Sequence, residues 1–90
     1  MITIELPKTL CSADQSRITL DDSHRTVGDA LRGLAKKSPR AFDSVMDERG
    51  NVRRHVNVFL DGESIRYLNG LDTPAPSGSA ILIITAISGG

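Results

Sequence analysis

An α+β fold, a mixed sheet of four to five strands with one main helix packed on one face, is predicted by three features of this 90-residue sequence. Short segments near the start and in the middle alternate apolar and polar residues. A single longer stretch between them carries its apolar residues at helical spacing. The last third contains an uninterrupted apolar run, Ala80 to Ile84. Strand-period segments on both sides of one helix-period segment describe a sheet with a helix covering one face.

Ile2, Ile4 and Leu6 alternate with Met1, Thr3 and Glu5, which predicts a half-buried first strand stopped by Pro7. Residues 8–15 contain a lysine, small polar residues and Cys11, a connection. Ile18 and Leu20 alternate with Arg17 and Thr19 as a second strand, pairing with the first as a hairpin. Asp21, Asp22 and Ser23 break the pattern, and Thr26 followed by Asp29 has the spacing of a helix-capping box. Val27, Ala30, Leu31 and Leu34 then form one apolar stripe, with Asp29, Arg32, Lys36 and Lys37 facing water. Asp29 near the start and the two lysines near the end suit the helix dipole, and Ser38-Pro39 ends the helix.

From Arg40 to Met46 the apolar residues could make one or two further turns. Asp47 to Asn51 is a polar loop. His55 to Leu60 alternates again, with Val56, Val58 and Leu60 on one side and Asn57 and Phe59 on the other. Asp61-Gly62 is a hairpin turn signal leading to a short partner strand through Ile65 and Tyr67. Asn69-Gly70 makes another turn, Leu71 plugs the core, and Pro74, Pro76 and Gly78 keep the next connection irregular. The final run lacks the alternation of a strand that meets water, so it is expected in the middle of the sheet, buried on both faces. Lying parallel to the first strand, with the helix in a right-handed crossover, it completes the order known as the β-grasp.

Composition excludes several function classes. Eleven basic and eleven acidic residues cancel, which argues against a nucleic-acid or anionic-membrane binder, because those need a clustered cationic surface. The one local excess is Arg53, Arg54 and His55. A single cysteine, Cys11, argues against an internal disulfide and a cysteine-ligated iron-sulfur or zinc site. Neither a signal peptide nor an apolar stretch of membrane-spanning length is present, so a cytoplasmic location is the default expectation. One domain over residues 1–86 with a flexible diglycine tail over 87–90 accounts for the chain.

The tail is the candidate working group. Thr85, Ala86, Ile87 and Ser88 carry no charge, and Gly89 and Gly90 carry no side chain. Five residues from Ala86 to Gly90, fully extended, reach roughly 17 Å. An arm ending in two glycines can enter a channel too narrow for other residues and lie against another backbone.

Three stretches carry a family resemblance: Thr26-Val27-Gly28-Asp29-Ala30-Leu31, Val56-Asn57-Val58-Phe59-Leu60-Asp61-Gly62, and Ile87-Ser88-Gly89-Gly90. Together with the strand order they are similar to the ThiS/MoaD sulfur-carrier proteins, which share the ubiquitin-like β-grasp fold. The segment HVNVFLDGESIRYLNGLDT looks most like the CysO-like branch, whose members supply sulfur for cysteine or secondary-metabolite synthesis. Ser88 and Thr85 stand where many members have alanine and proline.

The resemblance implies a carrier that is not an enzyme and binds no cofactor or metal of its own. A partner activating enzyme of the E1-like, ThiF/MoeB type would use ATP to adenylate the Gly90 carboxylate. A sulfur donor such as a sulfurtransferase or desulfurase would then supply sulfide or persulfide sulfur, leaving a thiocarboxylate for a downstream sulfur-accepting synthase. Gly90 is then the attachment point, and Gly89, Ser88 and Ile87 the tail that enters the partner's active site. A ubiquitin-like modifier joined to lysines through Gly90, or the small subunit of molybdopterin synthase, are the alternative readings.

Two further features have competing readings. Phe59, Leu82 and Ile84 share a sheet side that one helix cannot cover, so they form either an exposed apolar patch that docks partners or a surface covered by the 40–46 segment or a loop. Arg53, Arg54 and His55 could grip an acidic partner, but charged residues ahead of a strand are more often simply solvated. Cys11 and His24 lack the neighbours that would make a nucleophile or a ligand set.

Overall fold

The computed structural model describes residues 1–7, 16–21 and 25–85. Its strands are β1 (Ile2–Glu5), β2 (Arg17–Leu20), β3 (Val56–Leu60), β4 (Glu63–Ser64) and β5 (Ala80–Thr85), with helices α1 (Val27–Lys37) and α2 (Pro39–Val45) between β2 and β3. Two 3₁₀ turns, Ile65–Tyr67 and Gly70–Asp72, link β4 to β5. The five strands make one sheet in the order β2-β1-β5-β3-β4. β1 and β2 are antiparallel, with Ile2 opposite Leu20 and Glu5 opposite Arg17. β5 runs parallel to β1 and antiparallel to β3, so the last strand is the central one.

Alternation decides which side of each strand is dry. Ile2, Ile4, Ile18, Leu20, Val56, Val58, Ile81 and Ile83 all point to one face, where they join Val27, Ala30, Leu31 and Leu34 of α1 in a single core. The four α1 residues are fully buried, as their spacing predicts. Burying each of the two leucines contributes about 1.5–3 kcal/mol. The Thr26 hydroxyl accepts the Asp29 N–H at 3.1 Å and caps the helix. Arg32, one turn on, donates to the Asp29 carboxylate at 2.7 Å.

The second helical segment is a full helix. Pro39 occupies its first turn, where a missing N–H costs nothing, and Ser38 closes α1 by donating its N–H to the Leu34 carbonyl at 2.8 Å. Ala41, Val45 and Met46 enter the same core as α1. Asp61-Gly62 turns β3 into β4 with both residues at positive φ, 50° and 91°, the twist that suits a two-residue hairpin. Asp61 also accepts the Ala80 N–H on its carboxylate and donates its own N–H to the Ala80 carbonyl, both at 2.9 Å, tying the turn to the start of β5.

The partner strand is shorter than the expected run through Ile65 and Tyr67. It stops at Ser64, whose hydroxyl accepts the Arg66 N–H at 3.3 Å and starts a 3₁₀ turn. A strand would put Ile65 and Tyr67 on one face; the turn separates them, with Ile65 buried and Tyr67 84% exposed. Leu71 packs against the core as expected. Its carbonyl lies 3.1 Å from where a Cβ on Gly28 would stand, which explains a glycine in the first turn of α1. Among the described residues no helix is long and apolar enough to cross a membrane.

Gly28→Val is expected to push the 70–72 turn off α1 and cost about 1–3 kcal/mol, read as a lower midpoint in chemical denaturation. The Arg32 hydrogen bond, ahead of smaller contributions, lowers the Asp29 pKa from its ordinary 3.8. A lowered carboxylate stabilises the fold above its unfolded value and loses that contribution as pH falls through the folded value. Asp29→Asn should therefore flatten the acid limb of the stability profile below about pH 4, measured as thermal midpoint against pH.

Candidate functional site

The site is built on β5. Ile81 and Ile83 are 0% and 1% exposed, whereas Leu82 and Ile84 are 39% and 42% exposed. The expectation of burial on both faces is therefore corrected: β5 is central in the sheet but dry on one face only. The reason is the placement of α2. It joins α1 on the core side, because Ala41, Val45 and Met46 complete the core there, and the 40–46 segment does not cover the opposite face. A continuous apolar run need not mean two buried faces when the second layer is absent.

Register assembles the open face. Leu82 stands opposite Phe59 on β3 and Glu5 on β1, and Ile84 stands opposite Asn57. Phe59 is half-buried. One row across the sheet thus reads Arg17, Glu5, Leu82, Phe59, Ser64. At its polar end Arg17 donates to the Glu5 carboxylate at 2.6 Å between exposed side chains. The structure therefore brings Phe59, Leu82 and Ile84 onto one face, with an ion pair at the rim.

Thr85, the last residue of β5, pairs with Val56, directly after Arg53, Arg54 and His55. The proposed attachment residues Gly90, Gly89, Ser88 and Ile87 lie outside the described residues, as do Cys11 and His24. What is placed is the root of the tail, at the end of the central strand and beside the basic run. The described residues contain no cluster of His, Cys, Asp and Glu that could hold a metal ion. Sequence reasoning missed Arg66, which donates to the Arg54 carbonyl at 3.5 Å. Alternation through Ile65 and Tyr67 predicts a strand over Arg66, whereas the 3₁₀ turn brings it to Arg54.

A five-stranded mixed sheet with a parallel β1/β5 pair and helices on one face defines a ubiquitin-like β-grasp protein. Residues 4–90 match the ThiS family, and the chain belongs to it. The sulfur carrier protein CysO of Mycobacterium tuberculosis is 25% identical over 91 residues, covering 99% of this chain and 98% of its own. The crystal structure of CysO from that organism superposes with a TM-score of 0.82 at 24% identity, covering 97% of this chain and 100% of that one. Small archaeal modifier protein 3 of Haloferax volcanii is 32% identical over 69 residues, 77% of this chain and 74% of its own. The fold also matches a chain of the Amycolatopsis orientalis BexX/CysO complex, TM-score 0.78 at 21% identity, with 100% of both chains covered. The family's named relatives are thus sulfur carriers and ubiquitin-like modifiers.

The two faces of β5 should respond differently to mutation. Ile83→Ala should cost about 2–5 kcal/mol by opening a core cavity. Leu82→Ser and Ile84→Ser should each cost about 1 kcal/mol or less. Equilibrium urea unfolding of the three variants checks this.

Proposed function

We propose that this chain is a protein-borne sulfur donor whose Gly90 carboxylate is activated and converted to a thiocarboxylate. The observation that carries the reading is membership of the ThiS family over residues 4–90, a match that includes the Ile87-Ser88-Gly89-Gly90 tail. Likeness to a sulfur carrier protein over 99% of the chain supports it. Cysteine or secondary-metabolite synthesis is the proposed destination of the sulfur.

The chemistry needs a partner at each step. A terminal carboxylate, with an ordinary pKa of about 3.5, is ionised at neutral pH and a poor electrophile. In an activating enzyme of the ThiF/MoeB type, a Gly90 oxygen attacks the α-phosphorus of ATP and pyrophosphate leaves. Hydrosulfide, either free or released when a second thiol reduces the persulfide of a sulfurtransferase or desulfurase, forming a disulfide, then attacks the acyl carbon. AMP departs with the C–O bonding pair, leaving the thiocarboxylate. The carrier contributes reach and a small cross-section: Gly89 lacks the Cβ that would block a narrow channel. The face holding Phe59, Leu82 and Ile84 docks the partner, since an apolar patch rimmed by polar residues marks an interaction site.

The modifier reading differs only in the nucleophile. A lysine amine in place of hydrosulfide gives an isopeptide conjugate, and the 32% identity to a small archaeal modifier protein is what favours keeping it.

Incubation with the activating enzyme, ATP and sulfide should raise the intact mass by the difference between sulfur and oxygen, and a chain lacking Gly90 should show no gain. Conjugates on a denaturing gel without that mass change would select the modifier. Leu82→Ser with Ile84→Ser should raise the apparent KM for the carrier about tenfold, a loss of about 1.4 kcal/mol of docking, with kcat retained. An unchanged KM would remove the docking role.

A further inference from the structure

Arg53, Arg54 and His55 are the one charge excess in the sequence that the sulfur chemistry does not use, and their surroundings separate them. The Arg53 guanidinium donates to the Asp43 carbonyl at 2.7 Å and belongs to its own loop. The nearby Asp47 carboxylate is engaged within its own loop, accepting the Arg49 and Asn51 N–H groups at 2.8 and 3.0 Å. Arg54 and His55 are exposed. The 3₁₀ turn after β4 brings a second exposed guanidinium, Arg66, to the Arg54 carbonyl. Among the described residues, neither Arg54 nor Arg66 has an ion-pair partner.

Arg66 also lines a cleft of about 200 Å³ together with Asn51, Val52, Val56, Ile65 and Leu71. An apolar cavity of about 150 Å³ takes a benzene molecule, so this cleft is large enough for one leucine- or phenylalanine-sized side chain. Val56, on its wall, is the residue that pairs with Thr85 at the root of the tail. Two exposed arginines without an ion-pair partner among the described residues, an apolar cleft and the start of the tail therefore occupy one corner of the fold.

We infer that this corner, the cleft lined by Arg66 with Val52, Val56, Ile65 and Leu71 together with the exposed Arg54 beside it, recognises an acidic protein segment carrying one large apolar side chain. It does so on the partner that handles the tail, and the inference rests on the carrier reading for that partner's identity. The guanidinium fork matches a carboxylate with two parallel hydrogen bonds, and the cleft takes the apolar anchor. Nucleic acid fits less well: the chain has no net charge, Glu63 and Asp72 are exposed on the elements flanking Arg66, and a phosphodiester backbone has no apolar group for the cleft. Docking here also differs from docking at Leu82, because it is charge-led and so sensitive to salt.

The test is an NMR titration of the full chain, labelled with ¹⁵N, with the capped peptide Asp-Glu-Glu-Leu-Glu-Glu. Shift changes should centre on Arg54, His55, Arg66 and Leu71. Affinity should fall at least tenfold in Arg54→Glu with Arg66→Glu, and again between ~50 mM and ~500 mM salt. Absence of shifts, equal binding of the Gln-for-acid peptide, shifts centred on Phe59 and Leu82, or tighter binding of single-stranded RNA at these residues would each overturn the inference. The same double variant should raise the carrier's KM with the activating enzyme at low salt and leave kcat unchanged. Wild-type protein that gains no sulfur at all would instead count against the carrier reading, while the peptide titration still decides this one.

Discussion

The arrangement depends on one constraint: the last strand is inserted between two strands formed much earlier in the chain. β5 hydrogen-bonds to β1 on one side and β3 on the other, so neither half of the sheet closes without it. Its placement is held from the ends as well as along its length. Asp61 grips Ala80 with two hydrogen bonds at the start, and Val56 pairs with Thr85 at the finish. Ile81 and Ile83 give it a dry side against α1 and α2. A chain whose most central strand is its last delivers whatever follows from the middle of the sheet.

That geometry divides the work between fold and tail. The fold contributes a stable root, an apolar sheet face and a charged corner; the reacting carboxylate is proposed to come from the tail. Leu82 and Ile84 sit on the same strand as Ile81 and Ile83, so a partner pressing on the open face bears on the strand that carries the tail. The Glu5–Arg17 pair at the rim, between exposed side chains, contributes little to stability and sets the polar boundary of the patch. Neutral overall charge suits such a design, because orientation then comes from local groups and not from a long-range field.

Much of this was legible before any coordinates. Period-two alternation marks β1, β2 and β3, and period-3.6 spacing marks α1, since each of these elements has one dry and one wet side. Asp61-Gly62 announced its hairpin because the turn demands positive φ at both positions. The segment after Pro39 also forms the two turns its apolar residues suggest. Two features resisted. The end of β4 goes with a local side-chain hydrogen bond from Arg66 N–H to the Ser64 hydroxyl, too local for periodicity to detect. The exposure of Leu82 and Ile84 depends on what lies over them, which a strand's own residues do not encode.

By itself, then, the amino-acid order determined the elements, their sequence along the chain and the family resemblance, because backbone preference and apolar spacing are local properties. Only the tertiary structure decided which apolar residues stay in water, and that Arg66 meets Arg54 beside the root of the tail. Those outcomes rest on contacts between residues far apart in sequence. They follow from where α2 comes to rest and where the chain turns after Ser64.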